Sequence, residues 1–565
     1  MKSRRWSLAE RDGDLARAER DGVELLVIGG GITGAGVLRD AATRGMRALL
    51  VEREDFASGT SSRSSKFVHG GLRYIGEGHL GMTRAACRER DRLVRLAPHL
   101  IEPIPFLFPA YENDGIPLWQ VRAVLSVYTA LANFRSTSRF RMLGLDEVMR
   151  FSRDLRTEGL SGAGLYHDAQ VDDARLVLET LRSARFLGCT AVNHAEVVEF
   201  ARAPQAAAPH GPEQPGRIAA VRVLDRLSNR TRLIRAEVVV NAAGPAIDRV
   251  RGLDRPVERP ELRPAKGIHL VIPGGRIHAL GAVSFQASDG RHLFFAPSGD
   301  VALIGTTDSF TSEIDEPVAT IEEVHYLLAA ANRAFPRLGL TTNDLRSVFA
   351  GVRPLAADAE ETTPPSSVSR EGRLYSDPSG LLSAAGGKLT TYRAEGEKIV
   401  DRVVRRLSPA RRRTLGRSTT TELPLRDDDF DRDALETELG LRFGVGPVRA
   451  AHLVRTYGAE AEPLLRGAPT ALHRPIGRSR YTLAEIPWCI ETECPATLCD
   501  VLERRVRAAI FAAGQGLPDL ASIAEVAAAA AGWDAERTHA ETLAYAAAVQ
   551  RRYQIAAPAR RLSAA

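Results

Sequence analysis

The stretch Val23-Glu-Leu-Leu-Val-Ile-Gly29-Gly-Gly-Ile-Thr-Gly34 decides the fold. An apolar run from Val23 to Ile28 ends in glycines, Ala35 to Arg44 carries helical spacing, and Arg47 to Val51 is apolar again, so the order reads strand, tight loop, helix, strand. Gly29, Gly31 and Gly34 keep G-x-G-x-x-G spacing, and Glu52 stands at the end of the second strand, about twenty residues on. Such glycines let the backbone turn sharply and approach a pyrophosphate, whose charge then faces a helix N-terminus, while a terminal acid accepts hydrogen bonds from ribose hydroxyls. The fingerprint alone does not separate NAD from FAD, and a plain structural turn is its bland alternative.

Working outward, strand-like runs at 237–241, 269–272, 292–296, 301–304 and 381–384 alternate with helical segments at 173–186 and 321–334. That mixture predicts an α/β nucleotide-binding fold with an α+β portion inserted into it. The Pro- and Ala-rich stretch 203–216 reads as an exposed hairpin loop without chemistry. From about residue 406 the chain becomes Arg-rich and then helical, including an alanine-rich run at 524–531. The expected domains are therefore a solvated tail over 1–20, an oxidoreductase-like unit of two interleaved parts over 21–405, and a helical domain over 406–565.

Composition narrows the function classes. No stretch approaches the ~18 consecutive apolar residues of a membrane span, and Glu10, Asp12 and Asp14 fall where a signal peptide needs apolar residues. Five cysteines are too few for a disulfide framework and fit a reducing cytosol. Cys489, Cys494 and Cys499 stand five apart, which is not zinc-ligand spacing, so no metal is expected. The net charge of +6 suits an anionic surface or an anionic substrate, and no nucleic-acid motif accompanies it. Only five lysines occur, and Lys66, Lys266 and Lys388 all sit in glycine- or serine-rich motifs, where a compact ammonium is retained against a strong arginine bias.

After Glu52, Thr60-Ser-Ser-Arg-Ser-Ser-Lys66-Phe-Val-His69-Gly-Gly-Leu-Arg73-Tyr74 places hydroxyls, glycines and cations too densely for a core element. This run resembles the flavin-contacting signature of the FAD-dependent glycerol-3-phosphate dehydrogenases, within the D-amino-acid-oxidase-like flavoproteins. Four more segments resemble the same family in its order and spacing: Val171-Asp-Asp-Ala-Arg-Leu-Val-Leu178, Gly305-Thr-Thr-Asp308, Gly351-Val-Arg-Pro354 and Gly386-Gly-Lys-Leu-Thr-Thr-Tyr-Arg393. Asn241-Ala-Ala-Gly-Pro245 resembles its second FAD-contacting turn, with Ala246 where the family usually has an aromatic residue.

The resemblance implies an FAD-binding Rossmann-type domain with an interleaved α+β substrate domain and a C-terminal helical domain. It implies non-covalent FAD at Gly29, Gly31, Gly34, Glu52, Thr60, Ser61, Ser65, Lys66, His69, Gly71, Val197, Ala243, Gly244, Gly387, Leu389 and Thr390. Around the substrate's phosphate and hydroxyls it places Arg73, Tyr74, Arg353, Arg370 and Lys388, of which Arg370 matches only by its distance from Arg353. Guanidinium forks suit a phosphate dianion, which supports Arg73 and Arg353 independently. A helix beginning near Thr390 would present its positive end beside Lys388 to the flavin N1–C2=O edge. In Lys266-Gly-Ile-His269, His269 is the expected general base, since an imidazole near its ordinary pKa of ~6.5 can take a hydroxyl proton as hydride leaves. A hydrogen-bonded core histidine is the alternative there, and covalent flavin attachment is the alternative at His69.

The expected function is oxidation of sn-glycerol 3-phosphate to dihydroxyacetone phosphate by hydride transfer to flavin N5, with His269, Arg353 and Lys388 as catalytic residues and a membrane quinone as acceptor. An oxidase using oxygen, and a non-catalytic FAD-binding scaffold, are the alternatives. Quinones reside in the bilayer, so a cytoplasmic enzyme peripheral to the inner face of the membrane is expected, held to an anionic surface by cations. Leu118–Phe134 carries Trp119, an apolar stripe and Arg122, with Arg135 adjacent, and is the candidate contact; a buried helix is its alternative. Homo-oligomerisation is left open.

Overall fold

The protein's structure, a computed structural model, describes residues 5–76, 78–112, 116–132, 140–203, 216–357, 368, 372–426 and 429–555. The 203–216 loop, Arg370, Phe134 and Arg135 therefore fall largely or wholly outside the described residues.

After a first helix, α1 (Leu8–Asp21), the chain runs through β1 (Val23–Ile28), α2 (Ile32–Thr43) and β2 (Ala48–Val51). β1 lies parallel to both β2 and strand Arg230–Asn241, which in turn pairs in parallel with Leu382–Ala385. β1 is almost wholly buried, as expected for a central parallel strand covered on both faces. α2 crosses helix Tyr392–Val404 at a glycine contact, where a Cβ on Gly36 would stand 2.8 Å from the Tyr392 carbonyl oxygen and one on Gly396 2.6 Å from the Gly36 carbonyl carbon.

A second, ten-stranded sheet stands beside the first. Its strand Ala265–Pro273 pairs antiparallel with Val301–Gly305 and with Ser347–Arg353. That register sets His269 opposite Gly305 and Phe349, and Arg353 opposite Ala265. The sheet's longest antiparallel pair, Glu102–Tyr111 with Leu160–Gln170, was not legible from pattern, because Pro103, Pro105 and Pro109 argue against a strand. All three share one parity, so their missing N–H groups face the same edge and the donors on the opposite edge stay intact.

The C-terminal helices share a core with this second sheet: Val271, Val301, Leu303 and Phe349 pack with Tyr481, Phe511, Ile523 and Tyr545. The fold is thus the expected α/β architecture with a helical C-terminal part. Residues 5–21 correct the expectation of a solvated tail. Trp6 is buried against Phe56 and exchanges backbone hydrogen bonds with the Glu491 and Cys494 peptide groups, while Arg11 donates to the Asn193 and His194 carbonyls and to Asp225. Glu10, Asp12 and Asp14 belong to α1, whose Arg11, with Trp6 just before the helix, ties this segment to the rest of the chain.

Helix Leu118–Leu131 buries the apolar stripe against the protein and leaves Trp119 outside it. Val121, Leu125 and Tyr128 are buried, with Leu125 filling the space above Gly164, while Trp119 on the opposite face is 73% exposed beside Arg122. Among the described residues no helix is long and apolar enough to cross a membrane.

Candidate cofactor and substrate site

A cleft of about 800 Å³ opens where the parallel strands end. The first wall is the fingerprint. Gly29 adopts φ +111°, and a Cβ there would stand 2.5 Å from the Ala242 carbonyl oxygen; a Cβ on Gly34 would stand 2.0 Å from the Gly29 carbonyl oxygen. Gly29 and Gly31 line the cleft, whereas Gly34 lies behind it and sets how closely α2 approaches the loop. The Ser61 hydroxyl accepts the Ile32 N–H at 2.9 Å, so the Thr60–Ser61 loop folds onto the α2 N-terminus. Glu52 accepts from the Gly30 and Glu54 N–H groups; burial raises its carboxyl above the usual range against those two bonds.

Val197, Ala243 and Gly244 form the far side, and Gly387, Lys388 and Leu389 close one end. Gly386 and Gly387 take φ of +77° and +99°, left-handed values that a glycine adopts without strain. The C-terminal part supplies the remaining wall with Thr497, Asp500, Arg504 and Arg552.

Two polar groups adjoin the cleft, since Lys388 is in its lining and Arg353 lies between the lining residues Val352 and Pro354. In the first, the Lys388 ammonium lies 4.0 Å from the Tyr74 ring centroid and donates to the Met82 sulfur at 2.6 Å, with Arg73 against the same ring. Gly71 is required there, since a Cβ would meet the Tyr74 ring at 2.2 Å. In the second, the Arg353 guanidinium donates to Asp308 at 3.0 Å, to the Thr307 carbonyl at 3.2 Å and to the Thr306 hydroxyl at 3.0 Å. Next to it His269 stacks on Phe349 at 4.8 Å, and its Nε2 meets the Ser65 hydroxyl at 2.9 Å. Gly305 makes room for the ring, because a Cβ would reach 2.4 Å from His269 Cδ2.

Three expectations change. His269 does not sit near its ordinary pKa: burial, with the Arg353 and Lys66 cations beside it, pushes the imidazole well below 6.5. Lys66 does not reach the cleft; its ammonium is buried against Asp173 at 2.7 Å and the Ser62 carbonyl at 3.1 Å. Burial and Arg507 lower that ammonium to about 8 in spite of Asp173, which makes Lys66 a strut of the signature loop. His69 and Thr390 also serve each other, the His69 N–H donating to the Thr390 hydroxyl at 3.1 Å. Neither lines the cleft.

Sequence reading missed Arg63, which lines the cleft inside the quoted signature, and Asp308 with Thr306, which hold Arg353. Their motifs were noticed, but nothing in a sequence says which of several neighbouring polar side chains faces inward. A cluster with metal-ligand geometry, Asp55, His194 and Asp500, adjoins the cleft. Arg504 and Arg505 hold Asp55, and Arg504 also holds Asp500, so cations already occupy those carboxylates.

The comparisons with known proteins point one way. A family model described as FAD dependent oxidoreductase matches residues 24–393, and one described as the C-terminal domain of alpha-glycerophosphate oxidase matches 418–538. The aerobic glycerol-3-phosphate dehydrogenase of Staphylococcus aureus is 35% identical over 494 residues, 86% of each chain, and that of Staphylococcus saprophyticus is 34% identical over 491. The crystal structure of a glycerol-3-phosphate dehydrogenase from Bacillus halodurans complexed with FAD superposes with a TM-score of 0.76 at 30% identity, covering 97% of this chain and 98% of that one. An L-alpha-glycerophosphate oxidase from Mycoplasma pneumoniae, at 16% identity and a TM-score of 0.54 over 72% of this chain, shares the fold.

Proposed function

The chain belongs to the FAD-dependent oxidoreductases, in the family of the aerobic glycerol-3-phosphate dehydrogenases, and from that membership we propose that it oxidises sn-glycerol 3-phosphate to dihydroxyacetone phosphate on a non-covalently held FAD and passes the electrons to a membrane quinone. The observation that carries the reading is the lining of the dinucleotide cleft, which runs from the glycine fingerprint to Gly386, Gly387 and Lys388 and includes Val352 and Pro354 on either side of Arg353. The cleft suits FAD: Gly29, Gly31 and Gly244 leave backbone open to a diphosphate, Glu52 stands where a ribose needs an acceptor, and the Gly386–Gly387 turn offers N–H groups to a flavin edge.

When bound, FAD supplies the hydride acceptor at N5. The rest falls to side chains. Arg353 and Arg73 present guanidinium forks to the phosphate, and Asp308 keeps the Arg353 fork oriented before substrate arrives. Lys388, braced on the Tyr74 ring, stabilises negative charge on the C2 oxygen as its proton leaves. In the tautomer that carries its proton on Nδ1, His269 accepts the Ser65 hydroxyl at Nε2, and Ser65 can then take the substrate proton while giving its own to Nε2.

That relay needs a neutral imidazole, which exists above the His269 pKa. Because the pKa is depressed, the acidic limb of kcat is expected at a pH well below 6.5 and kcat stays level through neutrality. We specify kcat because kcat/KM also contains the second ionisation of the substrate's phosphate, at about 6. A limb centred at or above 6.5 that His269→Asn abolishes would show that this imidazole titrates normally.

The deciding experiment is anaerobic. The purified protein should be yellow, release intact FAD with acid, and bleach on addition of glycerol 3-phosphate; retained colour in the acid precipitate would point to His69, and unbleached flavin to a scaffold. For the acceptor, the exposed Trp119 beside Arg122 supports a surface contact, and flotation with anionic liposomes at low and high salt tests it while a short-chain quinone is assayed. Protein that stays in the soluble fraction and makes peroxide without reducing quinone is an oxidase.

A further inference from the structure

Arg63 is a buried charge that its own chain does not answer. It is 9% exposed and lines the cleft two residues beyond Ser61, yet among the described residues its guanidinium makes no hydrogen bond or ion pair. The other buried arginines are all held, Arg39 by the Ser183 hydroxyl and the Leu423 and Pro424 carbonyls, and the rest by carboxylates, as Arg11 by Asp225, Arg90 by Asp168, Arg175 by Glu493, Arg505 by Asp55 and Arg507 by Asp173. Burying a guanidinium without an anion is strongly unfavourable, which is why such pairing is the rule.

The neighbouring carboxylates are bonded elsewhere. Glu503, Tyr553 and Glu316 are near enough to attract Arg63, but the Glu503 carboxylate already accepts from Arg504, Arg552 and the Tyr553 hydroxyl, Glu316 accepts from Arg552, and Arg504 and Arg552 repel a third cation. Burial lowers the Arg63 pKa further. The other arginines of the cleft have carboxylates: Arg53 and Arg249 share Asp315, Arg551 meets Glu316, and Arg552 meets Glu316 and Glu503. Meanwhile the diphosphate position at the α2 N-terminus has no cation within the fingerprint itself, and the Thr60–Ser61 loop that carries Arg63 is bonded onto that terminus.

We propose that Arg63 binds the diphosphate of the dinucleotide cofactor, its planar fork supplying the positive charge that the glycine fingerprint lacks. This rests on the FAD reading above. It assigns to a side chain in the flavin signature a role at the other end of the same ligand, and places that role against the C-terminal wall of the cleft.

The test uses the full chain, stripped of flavin and titrated with FAD by fluorescence quenching and with ADP and adenosine by thermal shift. In the Arg63→Met variant the Kd for FAD and for ADP should rise together, by about 10- to 100-fold, while adenosine binds as before. Arg63→Lys should recover part of the loss, since it restores charge without the fork. Arg63→Gln, which keeps a polar group, serves in its place should the methionine variant not fold. Unchanged FAD and ADP affinities overturn the inference, as does a loss confined to FAD, which would put Arg63 at the flavin, or an equal loss for adenosine, which would mean a collapsed cleft. Unaltered protein that binds no FAD overturns the cofactor reading itself, and this inference with it.

Discussion

Arg353→Met is expected to lower kcat/KM for glycerol 3-phosphate by about 30- to 5,000-fold, the range set by the ~2–5 kcal/mol that truncating one partner of a desolvated charge pair costs. The guanidinium ends the strand Ser347–Arg353, is held at three points by Asp308, Thr307 and Thr306, and is 18% exposed, so it is oriented before substrate binds. Gly267 beneath it has no room for a side chain, a Cβ there falling 2.4 Å from the Arg353 Nη2. Methionine keeps the length of the stem and removes the charge. Since a phosphate contact is made in ground and transition states alike, KM should carry most of the change, with a smaller fall in kcat from lost alignment. The variant also leaves Asp308 without its cation, so FAD content and Tm must be measured alongside. A kcat/KM within threefold of the parent, in protein of normal flavin content, would remove Arg353 from the substrate site.

What the sequence made legible follows from the range of the interactions involved. The β1–α2 fingerprint is local: strand, glycines, helix and Glu52 lie within thirty residues, and each glycine is dictated by a clash that spacing anticipates. Helices 173–186 and 321–334 were legible to the residue, because amphipathic spacing and an N-capping Asp172 or Thr320 are also local. The strand Glu102–Tyr111 was not, since only its pairing partner makes three prolines tolerable. Lys66 shows the same limit at the site. It stands in the flavin signature, but Asp173, more than a hundred residues away, decides that its ammonium faces the protein. His269 could be proposed from residue type and context, while its depressed pKa depends first on its burial in the folded protein and then on Arg353 and Lys66 arriving from other strands and loops. The N-terminal helix failed for a related reason: Arg11 and Trp6 read as solvated until Asp225, Asn193 and Phe56 surround them.

Gly34→Ala tests the cofactor cleft at the point where the backbone has least freedom. The added methyl would lie 2.0 Å from the Gly29 carbonyl oxygen and 3.3 Å from Leu50 Cδ1, so either the loop or α2 must move. The loop is fixed on both sides. The Gly29 N–H donates to the Val51 carbonyl at 2.8 Å, the Ala242 N–H donates to the Ile28 carbonyl at 2.8 Å, and Gly29 lies so near Ala242 that it has no room for a Cβ. α2 has no more room, because its Gly36 contact with helix Tyr392–Val404 holds two backbones together and that helix begins just after the Gly386–Gly387 turn. Overpacking a rigid site costs about 1–3 kcal/mol when side chains can adjust, and more when the obstacle is a carbonyl, so FAD affinity should fall by at least about a hundredfold. Because α2 links the fingerprint to the flavin turn, substrate-driven bleaching should be lost together with FAD. Gly13→Ala is the matched control: it lies within α1 with nothing within 4 Å of its added Cβ, and should leave FAD binding intact while stabilising the helix by about 0.5–1 kcal/mol. A Gly34→Ala protein that binds FAD as tightly as the Gly13→Ala control would mean that α2 slides freely against the loop, and the fingerprint's geometric reading would fail.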